Sequence, residues 1–364
     1  MQFHIEADTD RGLKRRNNED FYGILQPGGL VVVCDGMGGH RDGEIASQLA
    51  VSTIMEAYQR LEQSEIASLI ADVEETLPAQ AERLLAAVRL ANYRIRLNAG
   101  GWDQRLEMGT TVVAAVLAED RLIAAHVGDS RLYCLHENHL AQLTSDHSLR
   151  RETNGREGAP PNVVTRALGT EPEISVDILQ VPVATHDRFL LCTDGLTNLV
   201  DSDSLQDILS STVDDREAIR RLIAHANAAG GKDNITVAIA AIDNVNGNAL
   251  GVPARYLTIV ENCAETQRAK TRVLADRFQL PPVLVPGAER GEGKYVRIME
   301  HLRTLSGFMR KRLVSARRWL LSQRDEVANS RMFRELVIKL TKLINRVNFR
   351  PAIFERKWEN RQHD

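Results

Sequence analysis

LVVVCDGMGGH, from Leu30 to His40, is the stretch on which the fold turns. Five apolar residues in a row, three of them valines, predict a short strand buried on both faces. The run stops at Asp35, and Gly36, Gly38 and Gly39 follow. A carboxylate at the end of a buried strand is costly unless a cation or a hydrogen-bond donor meets it. The glycines let the backbone turn sharply and come close to whatever Asp35 holds.

The same pattern returns along the chain. Phe189 to Cys192 leads through Thr193 into Asp194-Gly195, and Leu122 to Val127 leads into Gly128-Asp129-Ser130. Asp233-Asn234 precedes the apolar run Ile235 to Ile242, and Asp20 precedes Phe21-Tyr22. Each Asp-Gly taken alone also reads as a turn. Five acids beside strand-like runs read differently: if the strand ends converge, like charges repel, and no single Lys or Arg neutralises them. Hard divalent cations do, because Mg²⁺ and Mn²⁺ prefer carboxylate, carbonyl and water ligands. A metal cluster is the expectation.

At 364 residues the chain exceeds one average domain, so a main domain with an appendage is expected. Its charge divides accordingly. Residues 1–243 carry 22 Lys and Arg against 37 Asp and Glu, a net of −15; residues 244–364 carry 24 against 12, a net of +12. The boundary falls at Asp243-Asn244-Val245-Asn246-Gly247-Asn248. No apolar run approaches the roughly 18 residues that span a bilayer, and MQFHIEADTD lacks a basic-then-apolar leader. Cys34, Cys134, Cys192 and Cys263 show neither CxxC spacing nor a disulfide framework, which suits reduced thiols in a cytoplasmic protein.

Within the acidic part, helical spacing covers about Ile45 to Leu61 and Leu77 to Leu97, with two more helices at 204–211 and 215–229. Strands are expected at 111–118, 122–127, 131–135, 140–143, 176–181, 188–192 and 235–242. Strands grouped around antiparallel turns, with helices set apart, argue for an α+β layered sandwich over a parallel βαβ arrangement.

Gly12 to Asp20 (GLKRRNNED) places Arg15 and Arg16 just before an acidic pair. An arginine beside a metal cluster suits a phosphate, since its planar fork donates two hydrogen bonds and stays charged. Two metals roughly 3.5–4 Å apart lower the pKa of a bound water towards neutrality and polarise a phosphoryl group. The chain has no GxSxG, Walker or kinase signature, which leaves hydrolysis by activated water as the economical reading.

The ordered set RRNNED (15–20), VVCDGMGGHRDGEIAS (32–47), MGTT (108–111), VGDSR (127–131), LTSDHSL (143–149), VTRALG (164–169), LLCTDGL (190–196) and GGKDNITV (230–237) resembles the bacterial form of the metal-dependent protein Ser/Thr phosphatases of type 2C. The likeness covers about residues 3–243. It implies a four-layer αββα sandwich with two Mn²⁺ or Mg²⁺ ions at one end and positions for a third, weaker one. By position, it implies that Asp35 bridges the first two metals and that the Gly36 carbonyl binds the first. Asp194 and Asp233 would complete the second, Asp129 and Asp194 the third; Asp20 would hold metal-bound water, and Arg15 the substrate phosphate. Phosphorylated proteins are the implied substrates, and a cognate Ser/Thr kinase the implied counterpart.

Two departures from the family pattern stand out. Many relatives place a general-acid His directly after the Asp-Gly; here that position is Met37, and His40 becomes the candidate proton donor. His147 in SDHS is read as ordering a loop. The Gly- and Pro-rich stretch Leu149 to Val163 is shorter than the flap that bacterial relatives carry beside the active site, which predicts altered specificity or merely a trimmed loop.

The basic tail lies outside the likeness. Residues 244–293 read as a linker region, and 294–364 as a basic helical extension. Two amphipathic helices, about Lys294 to Arg324 and Met332 to Val347, suit a hairpin that covers its own apolar stripe. They equally suit docking on an acidic protein or a membrane surface; sparse aromatic interleaving counts against nucleic acid. The alternative function is therefore a targeting or phosphoprotein-binding protein that acts through these helices with little catalysis.

Overall fold

The computed structural model describes residues 1–38, 42–73, 75–99, 108–118, 120–153, 163–245 and 255–260, all within the unit Met1–Val283. The basic extension 294–364 and its two expected helices lie outside the described residues. Along the chain run β1 (Gln2–Asp10), β2 (Asp20–Leu25), β3 (Leu30–Met37), α1 (Asp42–Arg60), α2 (Gln63–Leu69), α3 (Ala79–Asn98), β4 (Gly109–Thr110), β5 (Val112–Ala118), β6 (Arg121–Val127), β7 (Arg131–His136) and β8 (His139–Gln142). Then follow α4 (Leu149–Glu152), β9 (Ser175–Pro182), β10 (Arg188–Cys192), α5 (Asp194–Thr197), α6 (Ser202–Ser211), α7 (Asp215–Ala228), β11 (Ile235–Asn244) and β12 (Arg255–Val260).

The strands form two sheets, in the orders β1-β11-β10-β7-β8 and β12-β9-β6-β5-β3-β2, with β4 paired to β3. All of these pairings are antiparallel. Period-two alternation explains why the strand runs are apolar throughout. Val31 and Val33 of β3, with Val113 and Ala115 of β5, meet Phe189 and Leu191 of β10 and Ala238 and Ala240 of β11 between the sheets. The intervening Leu190, Cys192, Val237 and Ile239 pack with Leu205 and Leu209 of α6 and Leu222 and Ile223 of α7. Helix α1 lies over β2 and β3, and α3 over α1, β6 and β9. Antiparallel sheets flanked by helices are thus the architecture, and each fully buried Val, Leu or Phe contributes about 1.5–3 kcal/mol to it.

Local chemistry sets the helix starts. Asp201 and Asp214 cap α6 and α7 by accepting the backbone N–H groups of Ser204 and Glu217, each at 2.8 Å. Two elements differ from the sequence reading. β1, for which no strand is expected above although Phe3, Ile5 and Ala7 alternate with polar residues, forms an edge strand that pairs with β11 along its whole length and turns those three residues to the core. Within the segment 244–293, read above as a linker region, Arg255–Val260 pair with β9 and extend the other sheet.

A polar knot ties β1 to α7. His4 Nε2 meets Asp215 Oδ2 at 2.7 Å and His4 Nδ1 meets Asp243 Oδ1 at 3.0 Å, while Arg188 also grips Asp215. Burial pulls the His4 pKa down, but hydrogen bonds and charge from Asp243 and Asp215 outweigh it and raise the value. A folded pKa above the unfolded one means stabilisation that is complete below about pH 6.5 and fades as pH rises through the folded value. With the His4 side chain 44% exposed, screening keeps the contribution below about 1 kcal/mol. His4→Gln should therefore lower the thermal midpoint more near pH ~6 than near pH ~9 in calorimetric scans. Equal losses at both pH values would mean that the pair carries no charge.

Candidate active site

One end of the two sheets gathers the acids that the sequence pattern singles out. Asp20 opens β2 and stands opposite Asp35 of β3 in the ladder register. Asp129 lies between β6 and β7, Asp194 begins α5 directly after β10, and Asp233 lies just before β11. Asp194 lies close enough to Asp35 for the two carboxyl groups to influence one another. Asp35 feels the charges of Asp20, Asp194, Asp129 and Asp233.

The electrostatics follow from burying like charges together. Burial first, then Asp20 and the other three carboxylates, hold the Asp35 pKa well above the usual range. Burial pushes Asp20 up to about 7 against the stabilising hydroxyls of Thr236 and Thr193, with Asp194 and Asp233 adding to the rise. Asp129 is likewise pushed up to about 7, by burial and then by Asp194 and Asp146. Burial and Asp233 raise Asp194, partly offset by its contacts with Asp35 and Asn198. Positive charge is what this end of the fold calls for.

Hydroxyls and amides hold the acids in place. Asp20 Oδ2 accepts from Thr193 Oγ1 at 2.8 Å and from Thr236 Oγ1 at 2.7 Å, so one carboxylate oxygen is fixed by both β11 and the end of β10. Its other oxygen, Oδ1, is buried without a hydrogen-bond partner among the described residues. The Asp35 backbone N–H donates to Thr111 Oγ1 at 3.0 Å, and its carbonyl accepts from Thr110 Oγ1 at 2.8 Å. Gly36 has no room for a side chain: a Cβ there would lie 2.1 Å from the Gly43 carbonyl oxygen and 2.6 Å from that of Glu19.

Arg15 reaches the cluster from its exposed rim. Its guanidinium donates to Asp233 Oδ2 at 2.8 Å. The segment that carries it is held by Asn234, whose Nδ2 donates to the carbonyls of Arg11 and Asn17, both at 2.9 Å. Asn234 Oδ1 accepts from the Glu19 N–H at 2.8 Å. The structure thus brings together Asp20, Asp35, Gly36, Asp129, Asp194, Asp233 and Arg15. His40 and residues 154–162 of the shortened stretch lie outside the described residues. Sequence reasoning assigned nothing to Asn234, Thr193, Thr236, Thr110 and Thr111, although Asn234 and Thr193 adjoin quoted aspartates, Thr110 and Thr111 lie in MGTT, and Thr236 lies in GGKDNITV. A polar residue next to a strand-end carboxylate was the available signal.

The donor set fits hard divalent cations. Every candidate donor is a carboxylate or carbonyl oxygen, the carboxylates repel one another, and one buried oxygen awaits a partner.

A family model described as protein phosphatase 2C matches residues 14–227. The serine/threonine phosphatase stp of Listeria welshimeri is 40% identical over 248 residues, which cover 64% of this chain and 94% of the relative. The protein phosphatase PhpP of Streptococcus pneumoniae is 34% identical over 251 residues, 66% of this chain and 97% of the relative. Among solved structures, the catalytic domain of the serine threonine protein phosphatase PstP in complex with two manganese ions aligns with a TM-score of 0.56 at 33% identity. That alignment covers 66% of this chain and 99% of that one.

Charge repulsion in the cluster predicts a metal-dependent stability. Mn²⁺ should stabilise the wild type by mass action, by about 2.7 kcal/mol at a hundredfold excess over Kd, read as a rise in the thermal midpoint. Asp35→Asn should lose most of that rise, yet be at least as stable as the wild type in EDTA, because one buried like charge is gone. A variant that keeps the full Mn²⁺ response would remove Asp35 from the cation site.

Proposed function

Since the chain belongs to the protein phosphatase 2C family, we propose that it hydrolyses phosphoserine and phosphothreonine in proteins at a centre of two Mn²⁺ or Mg²⁺ ions, with a place for a third. The enzyme is a protein serine/threonine phosphatase. The observation that carries the finer reading is the convergence of five aspartates from distant parts of the chain at one end of the sheets.

Asp35, the Gly36 carbonyl, Asp194 and Asp233 would hold the first two ions, and Asp129 with Asp194 the third. Bound there, the ions would sharpen a water for attack on phosphorus and neutralise the phosphoryl oxygens. Asp20 offers its free Oδ1 as an acceptor for a water at the cluster, while the two threonine hydroxyls stop the carboxylate from turning away. Arg15 would donate its fork to the substrate phosphate from the rim, with Asp233 holding the guanidinium ready. The leaving seryl or threonyl oxygen needs a proton. A thioether cannot give one, so His40 takes that role in place of Met37.

In the same reading, residues 1–243 with the added strand β12 carry the catalysis of a cytoplasmic enzyme that opposes a Ser/Thr kinase. Residues 244–293 otherwise connect it to the basic helical extension 294–364, whose net positive charge suits an acidic partner protein or membrane surface.

Hydrolysis of a small aryl phosphate by the full chain should require Mn²⁺ and vanish in EDTA. Asp194→Asn should reduce kcat by orders of magnitude, since it weakens two ion positions at nearly constant volume. Wild-type turnover in that variant, or turnover undiminished by EDTA, would contradict the proposal.

A further inference from the structure

Between β6 and β7 the backbone passes from one sheet to the other, so Gly128, Asp129 and Ser130 have no strand partner to supply their hydrogen bonds. His147 supplies both for Gly128. Its backbone N–H donates to the Gly128 carbonyl at 2.8 Å, and its ring Nδ1 accepts the Gly128 N–H at 3.0 Å. Gly128 sits at φ +111°, and a Cβ there would press on Thr111 at 2.6 Å, so the crossing has one narrow route.

A backbone N–H can only donate, so Nδ1 of His147 carries the lone pair and Nε2 carries the proton. That proton faces Asp177 Oδ2 at 3.0 Å, in a pair whose side chains are 6% and 3% exposed. A carboxylate accepts and does not donate, which selects the ring tautomer that Gly128 requires. Arg166 stands 3.6 Å from the other Asp177 oxygen and 3.3 Å from His147 Nε2. A guanidinium only donates, so while Nδ1 accepts from Gly128 and Nε2–H faces Asp177, Arg166 pairs with the carboxylate rather than with the ring.

His126, His147 and Asp177 place one donor atom each within 4.8 Å of one another, a spacing compatible with a metal ion. The tautomer argues against one. His147 Nε2 has no lone pair to give while Nδ1 is held by Gly128. His126 lies against His147 with ring centroids 4.7 Å apart.

We infer that His147, with its tautomer selected by Asp177, is a positioning residue for Asp129: it sets the Gly128–Asp129 backbone and thereby aims the Asp129 carboxylate at the cation cluster. The neighbouring Arg131–Asp146 fork, at 2.9 and 2.7 Å, clamps the segment that carries His147 to β7. The inference rests on the reading of Asp129 as a cation ligand, and the test separates the two.

In the full chain, His147→Leu removes the ring acceptor, whereas His147→Asn keeps an oxygen near the Nδ1 position and loses only the reach to Asp177. The Mn²⁺ concentration for half-maximal hydrolysis of an aryl phosphate should rise roughly tenfold or more in His147→Leu, and stay close to the wild type in His147→Asn. Both variants would lose thermal stability, so a merely structural role would move the two melting points and leave the Mn²⁺ midpoints alone. If Asp129→Asn shifts the Mn²⁺ midpoint and His147→Leu does not, the positioning role is overturned while the ligand reading survives. If Asp129→Asn shifts nothing, both fall. Should His147→Leu fail to fold, ¹⁵N NMR of the wild-type histidines decides instead: a protonated Nε2 on His147 supports the relay, and a protonated Nδ1 overturns it.

Discussion

Like charges buried side by side are the constraint around which this fold is arranged. Asp20, Asp35, Asp129 and Asp194 all carry raised pKa values for one shared reason, their removal from water in each other's company. Such a cluster costs stability unless cations or protons offset it. Two packed antiparallel sheets supply the apolar interior that compensates, and their strand ends bring distant residues to one place. The stability of the core is thus spent on keeping a site that would otherwise push itself apart.

Geometry then depends on small polar groups rather than on the acids themselves. Thr193 and Thr236 fix Asp20, Thr110 and Thr111 fix the Asp35 backbone, and Ser130 joins that chain through a 2.7 Å hydroxyl contact with Thr111. Asn234 fastens the segment that carries Arg15. Each of these is a short side chain with few rotamers, so little entropy is lost in holding the carboxylates. The chemistry proposed for the site uses the same economy: positioned oxygens and a guanidinium, with no covalent nucleophile required.

Much of this was legible in the chain. LVVVCDG reads as a doubly buried strand because both faces of β3 are covered, one by the opposite sheet and one by α1. Helices α1, α3, α6 and α7 announce themselves through their apolar spacing, to within a few residues at each end. β1 carries a legible period of two, Phe3, Ile5 and Ala7 facing the core between polar residues, but the run is short and polar at its far end, and its edge position is set only by pairing with the distant β11. β12, likewise an edge strand, hid in a stretch whose composition reads as a connector. The convergence of the acids was legible because an aspartate beside an apolar run is a local signal, clearest at Asp35-Gly36 and Asp194-Gly195. The partnership of His147 with Gly128 and Asp177 joins residues 19 and 30 positions apart, and no local pattern encodes it.

The central claim concerns where cations sit, and anomalous diffraction at the manganese edge from crystals grown with Mn²⁺ tests it most directly. The account predicts peaks within bonding distance of Asp35, Asp194, Asp233 and the Gly36 carbonyl. Manganese bound elsewhere, or those carboxylates ordered with no peak between them, would contradict it.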